Sequence, residues 1–248
     1  MTLLRSAVYN LVFFIWTLFC ALALLWVFVL PRRLMVRVIR LYFLSLYPLE
    51  KYILGLDYRV IGRQNLPSGQ YIIAMKHQSA WETFKLLPLF GDVAIVLKRE
   101  LMWIPLWGWY QAKTGVIPVN RGAGGAAMRS LLEGAQKVAG QGRSILIFPQ
   151  GTRVAAGAKK PYKSGIGYVY ETLNLPVVPV ALNAGVFWPR NSFLKRSGVV
   201  TVEILPAIQP GLSRLDFMQQ LEEKLEAASD RLLPQAAALS VDAGEKVL

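Results

Sequence analysis

Histidine and cysteine are nearly missing from this chain of 248 residues: His77 and Cys20 each occur once. A single histidine and a single cysteine cannot assemble the usual zinc sites, which draw several ligands from His, Cys and carboxylates. One cysteine also excludes a disulfide within the chain, which fits a reducing compartment. Acidic residues are scarce too, 15 against 28 Lys plus Arg, for a formal net charge of +13, and none precedes Glu50. No G-x-S-x-G elbow occurs, so a serine acyl-enzyme has no support. Walker A and dinucleotide fingerprints are absent. Gly122-Ala123-Gly124-Gly125 is glycine-rich but lacks the lysine and spacing of a phosphate loop. The remaining Lys and Arg are scattered, with no basic run longer than a pair and no zinc-finger, homeodomain or RNA-recognition pattern. Nucleic acid is therefore not the expected partner.

What the chain has in excess is apolar surface. Hydrophobic residues make up 54% of it and the mean hydropathy is +0.38. Val8 to Leu30 carries no charge over 23 residues, enough for a helix to cross the hydrocarbon core of a bilayer. A cleaved signal peptide has a shorter apolar region ending at small residues, whereas this run closes on Pro31-Arg32-Arg33. The segment is expected to be retained in a membrane. Arg5, Arg32, Arg33, Arg37 and Arg40 all come before the first acid. That basic collar places the flank on the cytoplasmic side and attracts an anionic membrane surface. Arg33, Arg37 and Arg40 share a stripe, with Leu34, Val38, Leu41 and Phe43 around them. Residues 33–49 thus read as an amphipathic interfacial helix or as a core helix with an arginine face.

Beyond residue 56 short apolar runs alternate with helical patterns. Tyr71–Met75, Val93–Leu97, Val116–Val119, Ser144–Phe148, Val177–Leu182 and Val199–Ile204 read as buried strands. Trp81–Leu87, Ala126–Val138 and Leu215–Ala228 carry helical spacing. This alternation predicts an α/β fold, a mixed, largely parallel sheet covered by helices. Residues 1–56 form the anchoring segment and 57–248 the α/β domain; the Ala-rich tail from Ala227 is weakly patterned after its helix.

His77 directly follows the first of those strands, in Lys76-His77-Gln78-Ser79-Ala80-Trp81-Glu82. Imidazole is suited to take a hydroxyl proton near neutral pH. An acid on the far ring nitrogen would fix its tautomer, and Glu82 is the candidate. Five positions on an ideal helix separate two side chains by about 140°, so the pair meets only if His77 lies in a loop and Glu82 in the first turn of a helix beginning near Ser79. Ser79 and Glu82 equally match a capping box, in which Glu82 bonds back to the backbone. Both readings stand on the residues alone.

The segment 76–82 resembles the first block of the lysophosphatidate acyltransferase family, a histidine, four residues, then an acid. That acid is usually aspartate; Glu82 is one methylene longer. A second block is similar to Lys98-Arg99-Glu100-Leu101 through Pro105, Gly108, Gly115 and Pro118 to Arg121. A third resembles Phe148-Pro149-Gln150-Gly151-Thr152-Arg153, with Gln150 where a glutamate is usual. A fourth is similar to Val178-Pro179-Val180-Ala181. The blocks stand in order across residues 76–181.

The resemblance implies acyl transfer, without cofactor or metal, from acyl-CoA or acyl-carrier protein to the sn-2 hydroxyl of a lysophospholipid acceptor, 1-acylglycerol 3-phosphate. It implies His77 and Glu82 as the catalytic pair at an inner, cytoplasmic membrane, with the catalytic domain facing the cytoplasm. Arg121 and Arg153 are then expected on the acceptor phosphate, where arginine forks bind two oxygens. Gly151 would let the backbone turn and bring its amide near a ligand, and Thr152 would add a hydroxyl donor. Lys98 and Arg99 read equally as contacts to the acyl donor or to headgroups. Leu101 to Trp109, with Trp103, Trp107 and Trp109, fits an acyl groove, an interfacial surface or plain core. Two rivals remain open: an O-acyltransferase for another lysolipid such as lyso-ornithine lipid, and a non-catalytic lipid-binding module that keeps the fold.

Overall fold

A computed structural model describes the backbone of residues 1–245, with side chains to 233. The chain begins with helix α1 (Thr2–Ala23), a 3-10 turn (Leu25–Val29) and helix α2 (Arg32–Leu49), which continues as a π-helical turn (Glu50–Leu54). The apolar run Val8–Leu30 is therefore not one helix. Its helix starts earlier, takes in Arg5 and stops at Ala23. Proline disfavours helical backbone in the residue before it, and Leu30 is extended ahead of Pro31, which sits at the N-terminus of α2. α1 is still long and apolar enough to cross a membrane.

Its N-terminal half is nevertheless fastened to the rest of the protein. Ser6 Oγ accepts from the Lys195 amide at 2.9 Å, and Asn10 Oδ1 accepts from Lys195 Nζ at 2.6 Å. Tyr9 is fully buried, edge-on to Trp188. On α2 the amphipathic expectation holds: Met35, Val36 and Ile39 are buried while Arg33, Arg37 and Arg40 face outward.

The domain that follows is built on seven strands, in spatial order β1-β7-β6-β2-β5-β3-β4. They are β1 (Leu56–Ile61), β2 (Ile72–Met75), β3 (Ala94–Lys98), β4 (Ile117–Val119), β5 (Ile145–Ile147), β6 (Val177–Leu182) and β7 (Gly198–Ile204). β6, β2, β5, β3 and β4 run parallel; β7 is antiparallel to β6 and parallel to β1. The sheet is mixed and largely parallel, as the alternating pattern implied.

Helices cover both faces. α3 (Trp81–Phe90) and the N-terminal helices pack on one side around Ile73, Met75, Val178 and Val180. α5 (Gly125–Ala139), α6 (Gly165–Leu173) and α8 (Arg214–Glu245) cover the other, around Ile72, Ala74 and Ala181. Side chains alternate across a strand, so neighbours Ile72 and Ile73 feed opposite cores. That is why these strands read as unbroken apolar runs. Two short helices complete the domain, α4 (Trp107–Thr114) and α7 (Ala184–Phe187). The Ala-rich tail is helical to Glu245; residues 246–248 lie outside the described residues.

Gly108, early in α4, shows how tightly the segment before it is folded. A Cβ there would lie 2.0 Å from the Met102 carbonyl oxygen, a backbone atom that cannot swing away. Gly108→Ala is expected to lower unfolding stability by about 1–3 kcal/mol, the usual range for overpacking. Thermal unfolding of the purified variant checks this.

Candidate active site

The site residues expected from the first three sequence blocks, Glu82 apart, lie at or just beyond the carboxyl ends of parallel strands. His77 follows β2, Lys98 ends β3, Arg121 follows β4, and Gly151 to Arg153 follow β5. In open α/β sheets the crevice beyond those ends is where ligands bind. Here His77, Lys98, Arg121, Gly151, Thr152 and Arg153 all line one cavity of about 660 Å³.

The loop that carries His77 is held from several sides. The Lys76 ammonium, buried, pairs with Glu226 of α8 at 2.6 Å, and Tyr162 donates to the same carboxylate oxygen. The His77 carbonyl accepts from the Val154 amide at 2.7 Å. Gln78 Oε1 accepts from the Gly185 amide at 3.0 Å. The imidazole stacks on Phe148, with ring centroids 4.0 Å apart and planes inclined by 19°. Such a surround fixes the ring before any ligand arrives.

Glu82 fills both roles that its spacing allowed. A single oxygen, Oε1, lies 2.8 Å from His77 Nδ1 and accepts from the Gln78 and Ser79 amides at 2.7 Å each. The helix starts at Trp81, just after Ser79 and where the helical spacing began, and Ser79 Oγ accepts from the Trp81 amide at 3.1 Å. The capping pattern and the His–Glu pair are thus one structure. Glu82 is fully buried behind the ring, outside the cavity lining, and its Oε2 has no partner among the described residues. With Nδ1 facing Glu82, the imidazole leaves Nε2 as the nitrogen that can exchange a proton at the cavity.

The other positions are placed as follows. Arg121 Nη1 donates to the Gly151 carbonyl. Gly151 adopts a left-handed φ of 68°, a conformation that favours glycine. Its amide, however, already donates to the Phe148 carbonyl at 2.9 Å. The amide expected to meet a ligand is thus committed to a turn, and the carbonyl beside it orients Arg121 instead. Lys98 is exposed and 3.3 Å from Glu100. Gln150 is buried outside the cavity lining, and neither polar atom of its amide has a partner among the described residues. An ionised glutamate there would need a counter-charge or donors to be tolerated; the neutral amide carries no charge to compensate.

Sequence reasoning missed Arg190. It lines the same cavity and donates to the Arg153 carbonyl at 3.0 Å. Lying in a loop after α7, outside every block, it gave no local signal. From this basic rim the cavity runs between α2, α3, α4 and β3 past Ile39, Phe43, Phe84, Leu87 and Ile95. It ends near Asp92 and Arg143, at the opposite end of β3, about 20 Å away at the usual rise per strand residue. Arg32 holds Asp92 through two bonds of 2.7 and 2.6 Å, and Arg143 reaches it at 3.1 Å. Burial alone would raise the Asp92 carboxyl's pKa, but the two arginines outweigh it and hold it below the usual carboxylate range. The cavity is cationic at one end, apolar along its length and lined at the other end by an ion-paired cluster.

A family profile described as Acyltransferase matches residues 57–183. A 1-acyl-sn-glycerol-3-phosphate acyltransferase of Pseudomonas aeruginosa is 34% identical over 179 residues, 72% of this chain and 70% of that protein. The chain belongs to the acyltransferase family. The enzyme of that name from Saccharomyces cerevisiae is 29% identical over 72% of this chain and 60% of its own length. Its alpha form from Homo sapiens is 29% identical over 64% and 57%. The crystal structure of the 1-acyl-sn-glycerophosphate acyltransferase PlsC from Thermotoga maritima superposes with a TM-score of 0.75, covering 93% of this chain and 95% of that one. At 20% identity that likeness establishes the shared fold.

The triple hydrogen bond to Glu82 makes a stability difference that can be measured. Glu82→Gln keeps an oxygen for both amides and should melt close to the wild type. Glu82→Ala leaves two buried amides unpaired and should lose about 1–3 kcal/mol per orphaned donor. Denaturant unfolding of the two variants side by side distinguishes them.

Proposed function

We propose that this acyltransferase moves a fatty acyl group from a thioester donor, acyl-CoA or acyl-carrier protein, to the sn-2 hydroxyl of 1-acyl-sn-glycerol 3-phosphate, giving phosphatidate. The observation that carries this reading is the cavity itself. One space joins an oriented imidazole and a cluster of arginines to a long apolar passage, which are the parts a phosphate-bearing lipid and an acyl chain require.

In this reading His77 Nε2 takes the proton of the sn-2 hydroxyl as its oxygen attacks the thioester carbonyl carbon. The carbon–sulfur bond then breaks, and the departing thiolate receives the proton back from the imidazolium. Glu82 keeps Nδ1 protonated and stabilises the imidazolium while it lasts. Arg121 and Arg153 grip the acceptor phosphate, with Arg190 buttressing the Arg153 backbone and Thr152 offering a hydroxyl. Lys98, farther out, meets the anionic donor. The α1–α2 hairpin, with its basic flank, would seat the domain on the cytoplasmic face of an anionic inner membrane, where the acceptor resides.

His77→Ala should leave a folded protein whose kcat falls by about 10²–10⁴-fold, the usual worth of general-base assistance. Retention of more than about a tenth of wild-type turnover, well outside that range, would remove His77 from the mechanism. Arg121→Ala and Arg153→Ala should each lower kcat/KM by roughly 10- to 150-fold, mainly through a raised KM for the lysolipid. Lysine at either position keeps charge without the fork and should fall between. Normal binding of lysophosphatidate by both alanine variants, or preference for an acceptor without phosphate, would favour a lyso-ornithine-type acceptor. A purified protein with no turnover on any lysolipid would favour the non-catalytic module.

A further inference from the structure

Glu50 and Lys85 lie outside every sequence block and Trp81 inside the first, and all three are buried, at 0%, 1% and 0% exposure. Glu50 opens the π-helical turn that continues α2. Its Oε2 accepts from Lys85 Nζ at 2.6 Å and from the Trp81 indole Nε1 at 3.0 Å. The Lys85 ammonium lies 5.3 Å from the Trp81 ring, 5.2 Å from Tyr58 and 5.6 Å from Tyr47, inside a box of aromatic faces. Glu50 Oε1 has no partner among the described residues.

An ion pair in such a place is a poor source of stability. The cost of taking both charges out of water offsets their attraction, and apolar replacement of both partners is often neutral or favourable. Burial works against each charge here, pushing the Glu50 carboxyl up and the Lys85 amine down against the pull of its partner. What the arrangement does supply is direction. Trp81 and Lys85 stand on one side of α3, and the residue next to Trp81 is Glu82, whose Oε1 holds His77 Nδ1. One carboxylate oxygen therefore holds two residues one turn apart on the helix that orients the imidazole.

We infer that Glu50 is a positioning residue for acyl transfer: through the Trp81 indole it sets the first turn of α3, and with it the geometry of the His77–Glu82 pair. It touches neither substrate. Because Glu50 continues α2, it also ties the N-terminal helices to that pair. The inference rests on His77 acting as the base, and its test carries a readout independent of turnover.

The test compares two double variants of the full-length protein, E50Q/K85M and E50L/K85M. Both delete the two buried charges, but only glutamine keeps a carbonyl oxygen for the Trp81 indole. Both are expected to fold, with E50L/K85M melting lower because its buried indole N–H is left unpaired; kcat is compared well below both midpoints. E50Q/K85M should turn over close to wild type. E50L/K85M should lose about three- to tenfold in kcat, the rate equivalent of one hydrogen bond, with KM for lysolipid and donor unchanged. His77 is the only histidine, so nitrogen-15 imidazole spectra report one ring. Its Nδ1 signal should shift in E50L/K85M and keep its place in E50Q/K85M. Equal kcat and superimposable imidazole signals in the two variants would overturn the proposal, as would equal losses in both, which would make the pair structural only. Failure of the base assignment appears separately, as full turnover in His77→Ala.

Discussion

The site depends on the one oxygen of Glu82 that collects His77 Nδ1 and the amides of Gln78 and Ser79. That oxygen closes the loop between β2 and α3, starts the helix and orients the ring in a single set of contacts. A buried carboxylate needs donors to be tolerated, and the two amides supply them without a neighbouring cation. The imidazole then completes the set. The glutamate in place of the usual aspartate is accommodated because the side chain folds back along its own helix start to reach the ring.

Around this centre the sheet sorts charge by strand end. Carboxyl ends of the parallel strands deliver His77, Lys98, Arg121 and Arg153 to one rim, while the amino end of β3 carries Asp92 between Arg32 and Arg143. The apolar passage between them is walled by the same helices that pack on the N-terminal hairpin. The N-terminal hairpin and the passage therefore share side chains: α2 contributes Ile39 and Phe43 to the cavity and runs on into Glu50.

Much of this was legible in the residues. Runs such as Val177–Leu182 are apolar on both faces because helices cover both, so strand position and fold class followed from pattern alone. The ordered blocks carried the cavity rim. β1 escaped notice because Leu56–Val60 alternates apolar with polar residues, unlike the unbroken apolar runs of the central strands. α6 escaped because two glycines in Gly165–Leu173 mask its periodicity. The long apolar run was misjudged in extent, since hydropathy marks neither the helix start at Thr2 nor the break at Leu24. Arg190 and Glu50 could not be found by spacing, for each reaches the site through a contact distant in sequence. Whether Glu82 capped the helix or held the histidine was undecidable from spacing, and the structure has one oxygen doing both.

In the proposed reaction a rigid imidazole presents Nε2 to an acceptor hydroxyl while arginines hold its phosphate. A crystal structure of the protein with lysophosphatidate bound tests this most directly. The expected result places the sn-2 hydroxyl within hydrogen-bond reach of His77 Nε2, about 2.6–3.2 Å, with the phosphate between Arg121 and Arg153 and the His77 ring unmoved. A phosphate bound away from those arginines, or a hydroxyl out of reach of Nε2 with the cavity occupied, would contradict it.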